Sequence, residues 1–593
     1  MKYLKEKYPE IFENGELDYQ ALQELLEGID SKSEERYHFS WVGKKAANRI
    51  LQSPTPFTLK SFPEKSIHFE TSGNIFIEGE NLETLKLLQK SYFNKIKMIF
   101  IDPPYNTGKD FLYPDNWQDS VSNYLQLSGQ ADEGGQKLIS NPETSGRFHS
   151  RWLSMMYPRL YLARNLLKED GTIFVSIDDT EVHHLRMIMN EIFGEENFVA
   201  NIIWQKKYSP ANDAKYLSDN HDHVLLYAKN KEMWRPQLLH RTTKMNSRYK
   251  NPDNDPRGLW KPGGFSVKTY SKDYDYPIET PSGKVVLPPK GSCWQTSKEN
   301  YLRMLADNRI WFGKNGDAKP QLKQFLSEVQ QGVVSKSIWL YNEVGHNQTA
   351  KAHIKKIFSD SHIIFDTPKP VGLIKRMLEL ATESNSDDIV LDFFAGSATT
   401  GEAVLQQNFE DNGNRRFILI QLPEALKQKD RLSNDVELCT IADIAKERLR
   451  RVIRGYDRRE GIPGDFKVFK LIPSALFQDN ELVAKSVPDL NSVFKRMKKE
   501  INADQDDLFF EVLLREGMDL CCKTESIPLE KNHLFLVSSN RRKMLLCLES
   551  KIFDTSLADI KKIGENTANI FLDSALTDAQ KIELSWQINL KTI

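Results

Sequence analysis

Apolar runs and helical text alternate along the early part of the chain. Ile75-Phe-Ile77 reads as a short strand, Asn81 to Lys90 as a helix, and Ile96-Lys-Met-Ile-Phe-Ile101 as a second strand. The alternation continues with a helix from about Ser150 to Leu167 and a strand at Thr172 to Ile177. A helix from Thr180 to Phe193 follows, then apolar strands near Phe198 and from His223 to Tyr227. Strands that alternate with helices in this way predict a parallel α/β sheet.

Three other stretches break the rhythm. Residues 1–70 read as a helical extension, with apolar positions Leu22, Leu25, Leu26 and Ile29, followed by the proline-rich Ser53-Pro-Thr-Pro-Phe57. From 206 to 358 periodicity is poor, and Gly, Pro, Asn and aromatic residues crowd into runs such as Tyr249 to Gly264, which predicts a loop-rich insert. Alternation resumes over 359–460, with a helix from Pro368 to Thr382, a strand at Ile389 to Phe393, a turn at Ala395 to Gly401 and a strand at Phe417 to Gln421. Residues 71–205 and 359–460 are thus expected to be halves of one sheet, and 461–593 a separate C-terminal domain containing a helix from Asp506 to Glu516.

Composition narrows the class only slightly. Lys and Arg number 81 against 82 Asp and Glu, so any nucleic-acid surface must come from uneven placement of charge. Between 206 and 261, twelve Lys/Arg face six Asp/Glu, interleaved with Tyr208, Tyr216, Tyr227, Trp234, Tyr249 and Trp260, which fits a DNA-facing surface. Five scattered cysteines build neither a disulfide framework nor a zinc site, and no run reaches membrane-spanning length, so a cytoplasmic protein with no membrane contact is expected. His221-Asp222-His223 has no further ligand at a recognised spacing, and no metal is expected. The basic helix ending Arg448-Leu-Arg-Arg451 reads as a solvated face, with a phosphate clamp as its alternative.

The chemistry concentrates where the second strand ends. Asp102-Pro103-Pro104-Tyr105 places a carboxylate, a stiff backbone and an aromatic ring at the carboxyl edge of the sheet, where such sheets bind ligands. This trio suits a planar exocyclic amine. Asp102 and the Pro103 carbonyl each accept one N–H, which favours a pyramidal nitrogen with its lone pair free, while Tyr105 stacks on the heterocycle. A second strand leads into Asp392-Phe-Phe394-Ala-Gly396-Ser397-Ala398, a small-residue turn that lets backbone approach a ligand. No Gly-x-x-x-x-Gly-Lys-Ser/Thr is present, and no cysteine lies in a Pro-Cys dipeptide, which removes P-loop and cytosine carbon-5 chemistry.

Together the two motifs resemble those of amino-group DNA methyltransferases that use S-adenosyl-L-methionine, with signatures Asp-Pro-Pro-Tyr and Phe-x-Gly-x-Gly. The catalytic motif precedes the cofactor loop by 290 residues, counted from 102 to 392, as in the circularly permuted beta group. Ile77 to Leu85, Ile101 to Gly108, Trp339 with Val344 to Ala350, and Phe365 to Pro370 are similar to modification (Mod) subunits of Type III restriction-modification systems.

The resemblance implies an α/β, Rossmann-like S-adenosylmethionine-dependent methyltransferase sheet, circularly permuted, with an inserted target-recognition domain and an α+β C-terminal domain. It implies N6-adenine methylation of double-stranded DNA by base flipping, a homodimer, and an ATP-dependent restriction (Res) partner. Asp102, Pro103, Pro104 and Tyr105 would be catalytic. Glu80, Lys369, Pro370, Asp392, Phe394, Gly396, Ser397 and Gln421 would hold the cofactor, Glu80 at its adenine and Gln421 at its ribose, where the family usually has an acid. Glu424 is a candidate helper to Gln421. Ala398 replaces the second glycine, which is tolerable at negative φ. N4-cytosine methylation and a catalytically silent DNA-recognition subunit remain open alternatives.

Overall fold

The computed structural model describes residues 39–107, 148–360, 365, 367–426, 437–476, 505–539 and 542–593, with four further two-residue strands traced by backbone alone. The helix expected within 18–29 lies outside the described residues.

Ten strands form the main sheet. In chain order they are β1 (Phe57–Ser61), β2 (Ile75–Glu78), β3 (Ile96–Ile101), β4 (Leu167–Ile177) and β5 (Phe198–Gln205). They continue as β6 (His221–Ala228), β7 (Ile338–Trp339), β8 (Ile389–Asp392), β9 (Arg416–Gln421) and β10 (Lys467–Pro473). Their spatial order is β7-β5-β6-β4-β3-β8-β9-β2-β10-β1. All neighbours from β4 through β10 run parallel, whereas β6 is antiparallel to both β5 and β4, and β1 is antiparallel to β10.

The continuous apolar runs follow from burial on both faces. In β3, Ile99 and Ile101 enter one hydrophobic cluster while Met98 and Phe100 enter the other, and β9 divides Ile418 and Ile420 from Phe417 and Leu419 in the same way. Helices Asn81–Tyr92, Phe148–Leu166 and Val182–Phe193 bury their apolar faces in the first cluster, and Val371–Ala381 and Thr399–Asp411 in the second.

The sheet reaches further along the chain than the expected halves 71–205 and 359–460. Strands β6 and β7 belong to it although they fall within 206–358, so the separate small sheets of the insert lie between them. One pairs Trp260–Gly264, Gln321–Phe325 and Ile310–Trp311, beside a core containing Phe265, Trp294 and Tyr301. The strand β1 likewise comes from 1–70 and β10 from 461–593.

The C-terminal segment has its own five-stranded sheet, yet its core is continuous with one face of the main sheet. Helix Gln505–Glu516 turns Phe510 against Phe469 of β10 at 4.9 Å between ring centroids, and Lys60 of β1 pairs with Asp507 at 2.9 Å. No described helix is long and apolar enough to cross a membrane.

Candidate active site

Leaving the centre of the sheet, β3 leads by a helix to β4 on one side, while β8 leads to β9 on the other. This divergence places a crevice at the carboxyl ends of β3 and β8, the position where such folds bind ligands. Asp102 to Tyr105 leave β3 there, and Asp392 to Ala398 leave β8 beside them, with Leu391 registered against Ile99. The two motifs are therefore neighbours in space.

The Asp102 carboxylate is divided. Its Oδ2 accepts from Lys369 Nζ at 2.6 Å, whereas Oδ1 is buried and has no hydrogen-bond partner within 3.5 Å among the described residues. A buried acceptor left unsatisfied is costly and calls for a donor. The Pro104 carbonyl is taken by Trp152 Nε1 at 2.7 Å. The Pro103 carbonyl accepts from no group among the described residues. Two acceptors on adjacent residues thus remain open.

Tyr105 is anchored by its hydroxyl, 2.7 Å from Ser176 Oγ at the end of β4. Burial raises its phenol pKa far above the usual range, and the charges of Asp102 and Asp222 push the same way, so the hydroxyl stays neutral. Lys369 Nζ lies 5.1 Å from the Tyr105 ring centroid and 5.9 Å from that of Trp204. Asn106 follows with φ of 61° and donates to Glu181 Oε1 at 2.6 Å. The buried Glu181 also binds His149 and His184 through their Nδ1 atoms at 2.6 and 2.8 Å, which fixes the corner after the motif.

A second buried acid backs the site. Asp222 on β6 bonds Lys206 Nζ at 2.7 Å, and Lys206 also takes Asp219 at 2.6 Å. Burial raises the Asp222 pKa against the opposing pull of Lys369 and Lys206. His223 is committed on both ring nitrogens, to Asn201 through Nδ1 and to Asp179 through Nε2 at 2.8 Å. Strand folding brings Asp179 to the histidine pair, a third polar group that linear spacing does not reveal.

The loop after β8 is braced from within. Asp392 accepts the Phe394 N–H at 3.0 Å and the Thr400 hydroxyl at 2.5 Å, and burial pushes its carboxyl up to about 7. Gly396, at φ of 52°, donates its N–H to Gln421 Oε1 at 2.6 Å, and Gln421 Nε2 donates to the Leu422 carbonyl at 3.2 Å. Gln421 therefore ties β9 to the loop. Glu424 beside it has no side-chain partner among the described residues, and burial raises its pKa.

Two expectations need correction here. Ala398 does not have negative φ; it sits at φ 60°, ψ 37° as the residue before helix Thr399–Asp411, a left-handed conformation that strains any residue with a Cβ. Arg448 belongs to neither a solvated face nor a phosphate clamp. It is 1% exposed and donates to Ser397 Oγ at 2.9 Å, Thr399 Oγ1 at 2.7 Å and Glu402 Oε2 at 2.7 Å. The helix Ile441–Arg454 packs this side against the loop, and a motif with three arginines in four residues gives no sign of which arginine turns inward.

The remaining positions flank the crevice. Glu80 caps helix Asn81–Tyr92 by accepting the Glu83 N–H with Oε2 at 2.8 Å, and Oε1 takes the buried Arg159 at 2.6 Å. Pro370 is the residue before helix Val371–Ala381 and is packed against Gly345 so closely that a Cβ there would meet Pro370 Cβ at 2.8 Å. Phe394 is 8% exposed in the first cluster. Of the aromatics expected on a DNA face, Tyr227, Trp234, Tyr249 and Trp260 are buried, Tyr227 and Trp234 in the two cores of the main sheet; Tyr208 and Tyr216 are exposed.

The DNA methylase family profile matches residues 96–429. The Mod subunit of the Type III restriction-modification enzyme StyLTI from Salmonella typhimurium is 37% identical over 70% of this chain and 63% of its own length, so the chain spans somewhat less than two thirds of that relative. The EcoP15I Mod subunit of Escherichia coli is 31% identical over 80% of this chain and 78% of its own, and the EcoPI Mod subunit of Escherichia phage P1 is 34% identical over 76% and 74%. A putative DNA modification methylase from Thermus thermophilus, solved with S-adenosyl-L-methionine, aligns over 67% of this chain and 99% of its own, at 13% identity and a TM-score of 0.29. The chain belongs to the DNA methylase family, within the group of Type III restriction-modification Mod subunits.

Proposed function

We propose that the chain transfers a methyl group from S-adenosyl-L-methionine to N6 of adenine in duplex DNA, as the modification and recognition subunit of a Type III system. The carrying observation is the pair of open acceptors, Asp102 Oδ1 and the Pro103 carbonyl, on neighbouring residues. An exocyclic amine has two N–H groups to match them.

In this reading Asp102 holds one N–H with Oδ1 while Lys369 keeps Oδ2 in place, and Pro103 takes the other. The anchored Tyr105 offers its ring as a stacking surface for a base swung out of the duplex. The residues that would hold the cofactor suit it by their chemistry: Gly396 carries no side chain of its own, with the Phe365 ring 3.4 Å from where its Cβ would stand, and Glu424, which has no side-chain partner among the described residues, suits a diol better than the occupied amide of Gln421. Glu80, Lys369, Pro370, Asp392 and Phe394 shape the same crevice. The bound cofactor supplies an electrophilic methyl group. The chain works in the cytoplasm as a homodimer, with a restriction partner on another chain.

Incubating the purified protein with labelled cofactor and mixed-sequence DNA, followed by nucleoside analysis, tests this. Label in N6-methyladenine is expected. Label in N4-methylcytosine would overturn the adenine assignment, and no label would support a silent recognition subunit. Asp102→Ala is expected to abolish transfer with DNA binding largely retained.

A further inference from the structure

Strands β5 and β6 are antiparallel neighbours, paired from Gln205 with His221, and residues 206–220 form the loop between them. Because His223 pairs with Ile177 at the end of β4, this loop projects from the same sheet edge as Asp102 and Tyr105. Its stem is built rigidly. Lys206 clamps Asp219 and Asp222, Asn220 Nδ2 donates to the Ser209 carbonyl at 3.2 Å, and Ser218 Oγ accepts from the Ala211 N–H at 2.7 Å.

The tip is the opposite in character. Tyr216 is 85% exposed and Leu217 is 92% exposed, and Lys215 lies over the Tyr216 ring at 5.3 Å. Single exposed apolar residues are ordinary, but an adjacent aromatic and aliphatic pair on a braced stem beside a reactive edge is not. Lys207 and Lys215 are exposed cations on the same loop.

We propose that Tyr216 and Leu217 form the wedge that enters the DNA base stack where the target base leaves it, with Lys207 and Lys215 on the flanking phosphates. The partner is the duplex itself. Swinging a base out leaves a gap between its neighbours, and an apolar or aromatic side chain fills that gap by stacking. The surface offers flat apolar groups for bases and cations for phosphates, which is the complement of an opened duplex. This inference rests on the methylation reading above, and it assigns residues that neither sequence motif contains.

The test uses full-length protein and a duplex centred on the methylated position mapped by sequencing the wild-type reaction product. Tyr216→Ala/Leu217→Ala, at exposed positions, is expected to bind DNA within about three-fold of wild type but to methylate a normally paired target about 10- to 100-fold more slowly. Placing an abasic site opposite the target, which removes the pairing to be broken, is expected to restore the rate to within about five-fold. An unchanged rate on paired DNA, or an equal loss on both duplexes, would overturn the wedge. If wild-type protein methylates neither duplex, the methylation reading itself fails, and the wedge with it.

Discussion

Lys369 Nζ lies 2.6 Å from Asp102 Oδ2, joining residues 267 positions apart across the crevice between β3 and the segment before helix Val371–Ala381. The lysine is 9% exposed and the aspartate 24%, so the pair is largely shielded and its breakage is costly. The contact leaves the other carboxylate oxygen free, which is what the proposed amine binding requires.

Lys369→Met removes the group that orients Asp102. Transfer is expected to fall by about 10²-fold, as when one preorganised charge contact is deleted from a site, with KM for DNA changed only a few-fold. Steady-state rates at fixed cofactor concentration check it; a wild-type rate would mean that Asp102 does not need the lysine.

Arg448 and Glu402 form a buried ion pair beneath Ser397 and Thr399. Arg448→Met leaves the buried Glu402 with His353, 2.6 Å away, and the neutral amide of Gln406, 2.8 Å away, and is expected to destabilise the fold by about 3–5 kcal/mol and to weaken cofactor binding. Denaturant unfolding and calorimetric titration of the cofactor would show both effects together.

Ala398→Gly relieves the left-handed strain at φ 60°. A gain of about 1 kcal/mol is expected, since a Cβ in this region costs about 1–2 kcal/mol and glycine returns part of that through unfolded-state entropy. A loss of stability in urea titration would contradict the strain.

Burial pushes the Asp392 carboxyl up to about 7. The folded chain therefore keeps a proton that the unfolded chain releases above about pH 4. This favours low pH: the contribution is intact below about pH 4 and is lost as pH rises towards and through 7, by roughly 4 kcal/mol in all at about 1.36 kcal/mol for each step of one in pH. Asp392→Asn cannot ionise, so its melting temperature should gain on wild type steadily from about pH 5 to about pH 8; parallel curves would contradict the shift.

Glu424→Gln is expected to weaken cofactor binding by about ten-fold through loss of a charged acceptor, while the same change leaves DNA binding alone. Gln421→Ala should also weaken it, through the loop it ties to β9, and should lower thermal stability as well.

Much of the frame was legible in the linear text. Near-continuous apolar runs such as Ile96 to Ile101 announce strands buried on both faces, because burial of both faces leaves few polar positions in a short window. Asp102 to Tyr105 and Asp392 to Ala398 could likewise be picked out because each motif is contiguous, and both follow neighbouring parallel strands, β3 and β8. What sequence alone determined was therefore the central strands of the sheet, its split by an insert, and the residue types in its two loops.

Tertiary structure decided the rest. The choice of Lys369 as partner to Asp102, the inward turn of Arg448, the burial of Tyr249 and Trp260, and the docking of Phe510 on Phe469 all depend on which distant segments become neighbours. Side chains that meet across strands leave no local period to read. Even the left-handed Ala398 is set by how β8 must turn into its helix, a constraint of the folded path that no residue in the motif displays by itself.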